Sequence, residues 1–136
     1  MADASKIAET FIYARLSGDS ALLALAAGGV HAHPAPPGTT FPHVTFSPVS
    51  EIDVQTLQNN RVMTRHRYRV RCIAQGRSKP YEAVDRIDVL LHKATGTAAG
   101  GTVLSCARDS GFSLNDADQG VEYRHEGAEY VLLTSP

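Results

Sequence analysis

The sequence is short of several features that would classify a protein at once. Its 136 residues include only two cysteines, which excludes a disulfide framework and favours synthesis in a reducing cytosol. No apolar run approaches the ~18 residues of a membrane span, and the longest, residues 21–27, ends at two glycines. The N-terminus lacks the basic region and apolar core of a signal peptide. A formal net charge of −1 gives no reason, from bulk charge, to expect a nucleic-acid partner.

Motifs of common nucleotide and hydrolase sites are also missing. The sequence has no G-x-x-x-x-G-K-[ST], no G-x-G-x-x-G between a strand and a helix, no G-x-S-x-G and no H-E-x-x-H. The corresponding phosphate, dinucleotide, acyl-transfer and helical zinc sites are therefore set aside as hypotheses. What remains is an ordinary globular composition, with 43% hydrophobic and 20% charged residues. Over this length it predicts a single domain spanning residues 1–136.

Hydrophobic periodicity divides the chain into helices and strands. The predicted helices cover residues 3–16, a short stretch after Asp19, and residues 80–93 with Ser78 as the cap. The predicted strands cover residues 30–33, 41–49, 61–74, 102–109, 112–114 and 121–133, with a turn at 115–120 and a bulge at Gly127. This order predicts an α+β fold. A mostly antiparallel β-sheet would carry the N-terminal helix and the central helix on one face, and a long β-hairpin arm would extend from it.

The predicted strand over residues 61–74 carries arginine at four successive positions of one face. We call these four residues the arginine row: Arg65, Arg67, Arg69 and Arg71. Like charges about 6.6 Å apart along a strand are unfavourable unless acids lie beside them. Acids for cross-strand pairing are available on the last predicted strand: Glu122, Glu126 and Glu129. Two other hypotheses stay open, because the row could also meet acids of another subunit or line a channel that carries nucleic acid.

Charge is divided along the chain although the total is almost balanced. Positions 51–80 hold seven basic and two acidic residues, whereas positions 109–130 hold six acidic residues and one basic residue. Such a division can be satisfied within one fold or between copies of it.

A polar segment over residues 50–60 separates two predicted strands. We interpret it as a loop or a long hairpin arm, and its length suggests a role in contacts. The candidate contact residues of this segment are Glu51, Asp53, Gln55, Gln58, Asn59 and Asn60.

Three histidines near the proline-rich segment suggest a metal site as an alternative. His31 and His33 would lie on one side of a strand, and His43 could supply a third ligand of a catalytic zinc site. No neighbouring acid or cysteine offers a base or a fourth ligand, so surface histidines are the simpler interpretation.

The order of these segments resembles that of a known family. After the N-terminal helix and a leucine-rich turn come F-P-x-V-T-F at positions 41–46, R-Y-R-V-R-C at 67–72 and D-R-I-D-V-L-L-H at 85–92. V-L-S-C at 103–106 and Y-R-H-E-G at 123–127 complete the chain. This layout resembles the tail completion, or tail terminator, proteins of long-tailed bacteriophages over nearly the full chain.

The resemblance implies a structural virion protein without catalytic residues, metal or cofactor. Such proteins form a hexameric ring that caps the tail tube, ends its polymerisation and presents a joining surface for the head connector. The implied partners are further copies of the chain, the tail tube protein, a head-closure or connector protein, and DNA that passes through the lumen without sequence-specific binding. The implied location is the tail or neck of the virion, after assembly in the host cytoplasm.

Within this resemblance, the hairpin arm would reach a neighbouring subunit or the tube. The arginine row would face the next subunit or the lumen. Two alternatives are kept: another neck ring component, such as a head-closure, stopper or tail tube protein, and a small metal-dependent cytosolic enzyme that uses His31, His33 and His43.

Overall fold

A computed structural model of the chain describes residues 3–58, 61–76 and 80–136. The helices are α1 (Ala4–Ser17), α2 (Ser20–Leu25) and α3 (Tyr81–Leu91). The strands are β1 (Val30–Ala32), β2 (His43–Gln55), β3 (Arg61–Gln75), β4 (Gly96–Ala98), β5 (Gly101–Asp118) and β6 (Val121–Ser135). The strands form one sheet in the order β1-β2-β3-β6-β5-β4.

The sheet is antiparallel except at one edge, where β1 runs parallel to β2. A mostly antiparallel sheet combined with helices fits the predicted α+β class. None of the described helices has the length and hydropathy needed to cross a membrane.

Capping side chains define where the first two helices begin. The Asp3 carboxylate accepts hydrogen bonds from the backbone N–H groups of Ser5 (2.9 Å) and Lys6 (3.4 Å) at the start of α1. Asp19 accepts in the same way from Leu22 N–H (2.9 Å) at the start of α2. These bonds satisfy donors that the first helical turn leaves unpaired. The predicted cap of α3, Ser78, lies outside the described residues.

The core lies between the helices and one face of the sheet, which we call the helix-side face. Tyr68, Val70 and Cys72 of β3 are buried there. Ile7 and Ile12 of α1 pack into the same cluster. Each fully buried side chain of this size contributes about 1.5–3 kcal/mol. At Gly101 a Cβ atom would lie 2.2 Å from Ile7 Cδ1, so α1 sits on the sheet with no room for a side chain at this point.

The predicted bulge at Gly127 is wrong, because β6 pairs with β3 in unbroken register through Arg71 and Gly127. Glycine is required there for another reason. A Cβ atom at this position would lie 2.0 Å from the carbonyl oxygen of Val70. The register shifts lie in other strands: between Pro48 and Ser50, Val54 and Gln55, Val103 and Ser105, and Arg108 and Ser110.

The predicted break between strands 102–109 and 112–114 is also wrong, as is most of the predicted turn at 115–120. β5 is continuous because the irregularity between Arg108 and Ser110 absorbs the change of alternation without ending the ladder. β5 pairs with β6 as far as Asp118 and Val121. The connection is only Gln119 and Gly120, both with positive φ (51° and 80°), as two-residue hairpin turns require.

The polar segment at 50–60 is strand over its first half. β2 begins at His43 and continues to Gln55, where it pairs with Arg61 of β3. The prediction that the strand ended at residue 49 is therefore wrong, because cross-strand hydrogen bonds outweigh the polar composition of residues 50–55. β4 was not predicted, and α3 ends at Leu91 rather than at Lys93, which has a positive φ of 66°.

Candidate functional site

The arginine row lies on the face of the sheet that points away from the helices, which we call the open face. Side chains alternate along a strand, and Tyr68, Val70 and Cys72 occupy the helix-side face of β3. The four arginines at the alternate positions therefore share the other face. This placement follows directly from the period of two in the sequence.

Arg67 and Arg69 share one acid, Glu129 of the neighbouring strand β6. Arg67 Nη1 lies 3.2 Å from Glu129 Oε1, and Arg69 Nη2 lies 2.9 Å from Glu129 Oε2. Arg67 also contacts the Asp109 carboxylate of β5, two strands away. Hydrogen bonds from Arg69 and then Arg67 lower the pKa of Glu129, although partial burial acts in the opposite direction. The hydrogen bond to Asp109 is the main reason why the pKa of Arg67 is raised.

The two ends of the row differ from its middle. Arg71 is buried, its Nε has no hydrogen-bond partner in the described part of the chain, and burial lowers its pKa. Its guanidinium carbon lies 5.5 Å from the centre of the Phe112 ring, and that of Arg69 lies 4.3 Å from it. These are cation–π distances. Arg65 is exposed and forms no salt bridge with another described residue.

The structure brings only one of the three predicted acids to the arginine row. Glu129 is part of the network, whereas Glu126 lies on the helix-side face and accepts from Ser113 Oγ at 2.8 Å. The backbone oxygen of Glu122 accepts from Gly76 N–H at 2.7 Å near the end of the sheet. Asp109 is the acid that the sequence analysis missed. A continuous strand over Gly101–Asp118 would have indicated that Asp109 lies in the same sheet as Arg67. The predicted break between residues 109 and 112 hid that strand.

The three histidines considered above as an alternative metal site are His31, His33 and His43. Among the described residues, no group of three or more histidine, cysteine or acidic side chains is arranged to hold a metal ion. His31 Nε2 donates to the Gly28 carbonyl (2.8 Å) and His43 Nδ1 donates to the Thr40 carbonyl (3.3 Å). Two of the three imidazoles are thus bound to nearby backbone groups. His43 is buried, so the interpretation of all three as surface histidines is wrong for this residue.

A shallow cavity of about 600 Å³ lies between the proline-rich loop and the end of the β5–β6 hairpin. His33, His43 and His125 line it, and burial lowers the pKa of all three. The positive charge of Arg71 lowers the pKa of His33 and His125 further. The cluster is therefore held in its neutral form at pH 7.

Both cysteines are buried hydrophobic residues. Burial raises the pKa of Cys72 and of Cys106 to about 12, so the thiols stay protonated at pH 7. Neither has the exposed, electropositive surroundings that activate a thiolate.

The predicted contact residues of the hairpin fall into two groups. Glu51 accepts hydrogen bonds from Ser5 Oγ (2.9 Å) and faces His66 Nδ1 (3.4 Å), and Asp53 accepts from Thr64 Oγ1 (3.0 Å). These acids hold the hairpin to its own chain. Gln55 and Gln58 are exposed near the tip, whereas Asn59 and Asn60 lie outside the described residues.

His66 sits at the centre of that attachment. Its Nε2 lies 3.0 Å from Thr134 Oγ1, and burial is the main reason why its pKa is lowered. Its Nδ1 faces the Glu51 carboxylate at 3.4 Å, and the Thr134 hydroxyl also lies 3.5 Å from the Thr64 carbonyl. α1, β2, β3 and β6 are thereby joined at one end of the sheet.

Fold and site together define a class of protein: a small α+β domain whose distinctive chemistry is an array of charges on an open sheet face. The family model described as "Tail completion protein gp17" matches residues 10–126. The chain belongs to this family, and it is a structural component of a phage tail.

One solved structure with the same fold is a chain described as "Virion of native gene transfer agent (GTA) particle". The TM-score is 0.77 at 12% sequence identity, over 97% of this chain and 98% of that chain. At this identity the likeness shows the fold alone. No curated protein sequence is significantly similar to this chain.

Proposed function

We propose that this protein forms a ring of six subunits that caps the tail tube, ends its polymerisation and provides the joining surface for the head connector. The observation that carries this proposal is the match to tail completion proteins over residues 10–126. A virion chain with the same fold over almost the whole length of both chains supports it. A completion protein acts at the end of the tail, which favours this role over that of a tube or head-closure subunit.

The exposed part of the β2–β3 hairpin suits a contact with the tube or with a neighbouring subunit. Ile52 and Val54 of β2 are exposed, and Leu57 at the tip is fully exposed. Apolar side chains on a projecting hairpin gain about 25 cal/mol per Å² when a partner covers them. The polar contact candidates Gln55 and Gln58 lie beside them, and they provide hydrogen bonds at the rim of such a contact.

The open face is compatible with a lumen through which DNA passes. Arg67 and Arg69 are neutralised in large part by Glu129 and Asp109, so the face is not a continuous basic surface. A wall with paired charges attracts DNA less strongly than unpaired arginines would. In this proposal the DNA slides past without sequence-specific binding.

The experiment is a titration of polymerising tail tube protein with this protein, followed by electron microscopy of tube length and of tube ends. We expect shorter tubes with a six-fold ring on one end, and native mass spectrometry of the isolated ring should give six subunits without metal. The matched variants are Leu57→Asp at the exposed tip and Val89→Asp on exposed α3. Leu57→Asp should weaken capping, whereas Val89→Asp should not. Tubes of unchanged length with bare ends would contradict the proposal.

A further inference from the structure

The sheet ends in two strands whose outer edges are only partly paired. β1 pairs with β2 at Val44–Phe46 alone, so no second described strand lies beside the rest of β2. β4 pairs with β5 at Gly101–Val103 alone, and no second described strand lies beside the rest of β5. A strand edge of this kind presents backbone N–H and C=O groups that can bind another strand.

The first part of the β5 edge is occupied by the segment after α3. Lys93 N–H donates to the Cys106 carbonyl (2.7 Å), and Arg108 N–H donates to His92 Nδ1 (3.1 Å). These bonds show that Cys106 and Arg108 direct their backbone groups away from β6. The irregularity after Arg108 reverses the alternation. Beyond it the outward backbone groups belong to Gly111, Ser113, Asn115 and Ala117. Of these, the Ala117 N–H already donates to Asp116 Oδ1 (2.8 Å).

The same reasoning locates the outward groups of β2. Val44 N–H and the Phe46 carbonyl bond to residues 29–33, so these two residues direct their backbone groups away from β3. The irregularity between Pro48 and Ser50 reverses the alternation. Beyond it, Glu51 and Gln55 are among the outward positions. Because Pro48 has no N–H, the part of this edge that can accept a strand begins after it.

Both edges carry exposed apolar side chains on the open face. On β2, Ile52 is 59% exposed and Val54 is 39% exposed. On β5, Leu114 is 45% exposed. Single exposed apolar residues are normal, but these three stand on the two unpaired edges and on the same face of the sheet. An added strand would bring them into cross-strand pairs.

Unpaired charges of opposite sign accompany the two edges. Arg65 of β3 stands beside Ile52 of β2 and has no salt bridge with a described residue. Asp116 and Asp118 of β5 are exposed and also lack a salt bridge in the described part of the chain. The Asp116 carboxylate accepts one hydrogen bond, from Ala117 N–H (2.8 Å), and Asp118 is the freer of the two. The positive charge near the β2 edge is therefore complementary to the negative charges on the β5 edge of another copy.

An arginine and a carboxylate that are two strands apart can form a salt bridge in this sheet. Within the chain, Arg67 of β3 contacts Asp109 of β5 across the intervening strand β6. Arg65 of β3 has the same reach in the other direction, over β2, where its cross-strand neighbour is Ile52. A carboxylate on a strand added to β2 lies within that reach.

We propose that the unpaired edge of β2 in one copy binds the unpaired edge of β5 in the next copy as an antiparallel strand. β2 and β5 run in opposite directions within the sheet, so a rotation about an axis along the strands joins them and keeps the open faces on one side. Because the two edges differ, the contact is heterologous and closes into a ring when the rotation permits. This inference rests on the proposed ring and names the surfaces that build it.

The first test is backbone hydrogen exchange of the wild-type ring and of the monomer obtained by dilution. The amides of Gly111, Ser113 and Asn115 should exchange at least about tenfold more slowly in the ring, because neighbouring strands bond them. A ring in which these amides exchange as in the monomer overturns the edge pairing and leaves the ring intact. Protein that forms no ring, alone or on tail tubes, overturns both proposals.

The second test blocks one edge at a time. Asn115→Pro removes an outward N–H group of β5, whereas Ile52→Lys with Val54→Lys places charges along β2. Each of these two edge variants should be monomeric in native mass spectrometry. An equimolar mixture should give a dimer of one copy of each variant and nothing larger, because only one competent contact remains.

The control is Val89→Lys, a change at an exposed apolar residue of α3 that should leave the ring unchanged. Full rings from either edge variant, or a mixture that stays monomeric while both variants are folded, would overturn the pairing. If a proline variant fails to fold, the exchange measurement on the wild type still decides.

Discussion

The two faces of β3 differ in what stabilises them: apolar burial on one face and salt bridges on the other. On the helix-side face, Tyr68, Val70 and Cys72 are almost completely buried and contribute through the removal of apolar surface from water. On the open face, Arg67 and Arg69 remain partly exposed and depend on one shared acid. We therefore expect the loss of a core side chain to lower the free energy of unfolding more than the loss of a charge on the open face.

The largest effect is expected on the helix-side face. Leu132→Ala removes a fully buried side chain of β6 and leaves a cavity, so the free energy of unfolding should fall by about 2–5 kcal/mol. Chemical denaturation monitored by circular dichroism measures this loss. Leu104→Ala is the matched control, because Leu104 is exposed, and it should cost less than about 0.5 kcal/mol. Equal losses for both variants would contradict the assignment of the core.

A smaller effect is expected from the shared acid on the open face. Glu129→Gln leaves Arg67 and Arg69 side by side without a common carboxylate, and it should lower the free energy of unfolding by about 1–3 kcal/mol. Because the pair is partly exposed, high salt should reduce the difference from wild type. Glu9→Gln, on the exposed side of α1, is the control. An unchanged stability at low salt would show that the network contributes nothing.

The histidine cluster under the proline-rich loop predicts a dependence on pH. The folded state holds the pKa of His33, His43 and His125 below 6.5, so it binds fewer protons than the unfolded chain. Their contribution to stability is present above pH 6.5 and is lost as the pH falls through the lowered pKa values. Thermal unfolding between pH 7.5 and pH 5 should show this decline. A His125→Gln variant should reduce the slope, and a slope identical to wild type would contradict this prediction.

The smallest effect is expected at the exposed end of the arginine row. Arg65→Ala removes a side chain that has no salt bridge with a described residue, and stability should change by less than about 0.5 kcal/mol. Arg67→Ala removes contacts to two acids and should cost more. Denaturation of both variants in one buffer tests the order. A larger loss for Arg65→Ala would show an unrecognised partner within the monomer.

How far the sequence could predict the fold is best seen in β3 and β5. β3 was predicted almost to its ends, because its two faces differ so strongly in polarity that the period of two is unmistakable. β5 was divided into two strands and a turn, because Asp109 and Gly111 resemble a break locally. The hydrogen bonds of β6 hold the strand together there, and such long-range pairing cannot be read from neighbouring residues.

The candidate site shows the same limit. The sequence placed the arginine row on one face and offered Glu129 as a partner, but it also offered Glu122 and Glu126, which lie elsewhere. It could not indicate Asp109, since this residue approaches Arg67 only after β6 has been inserted between β3 and β5. The histidines show this limit as well, since the contacts of His31 and His43 with the Gly28 and Thr40 carbonyls could not be predicted from their spacing.

The sequence by itself determined the alternation that makes β3 a strand with a charged face, and the family to which the chain belongs. These properties depend on residues close together in the chain or on the order of segments. Only the tertiary structure decided which acids meet the arginines, why Gly127 must be glycine, and which strand edges stay partly unpaired. Those properties depend on contacts between distant segments, and the position of one strand beside another is fixed only when the whole sheet and its core pack together.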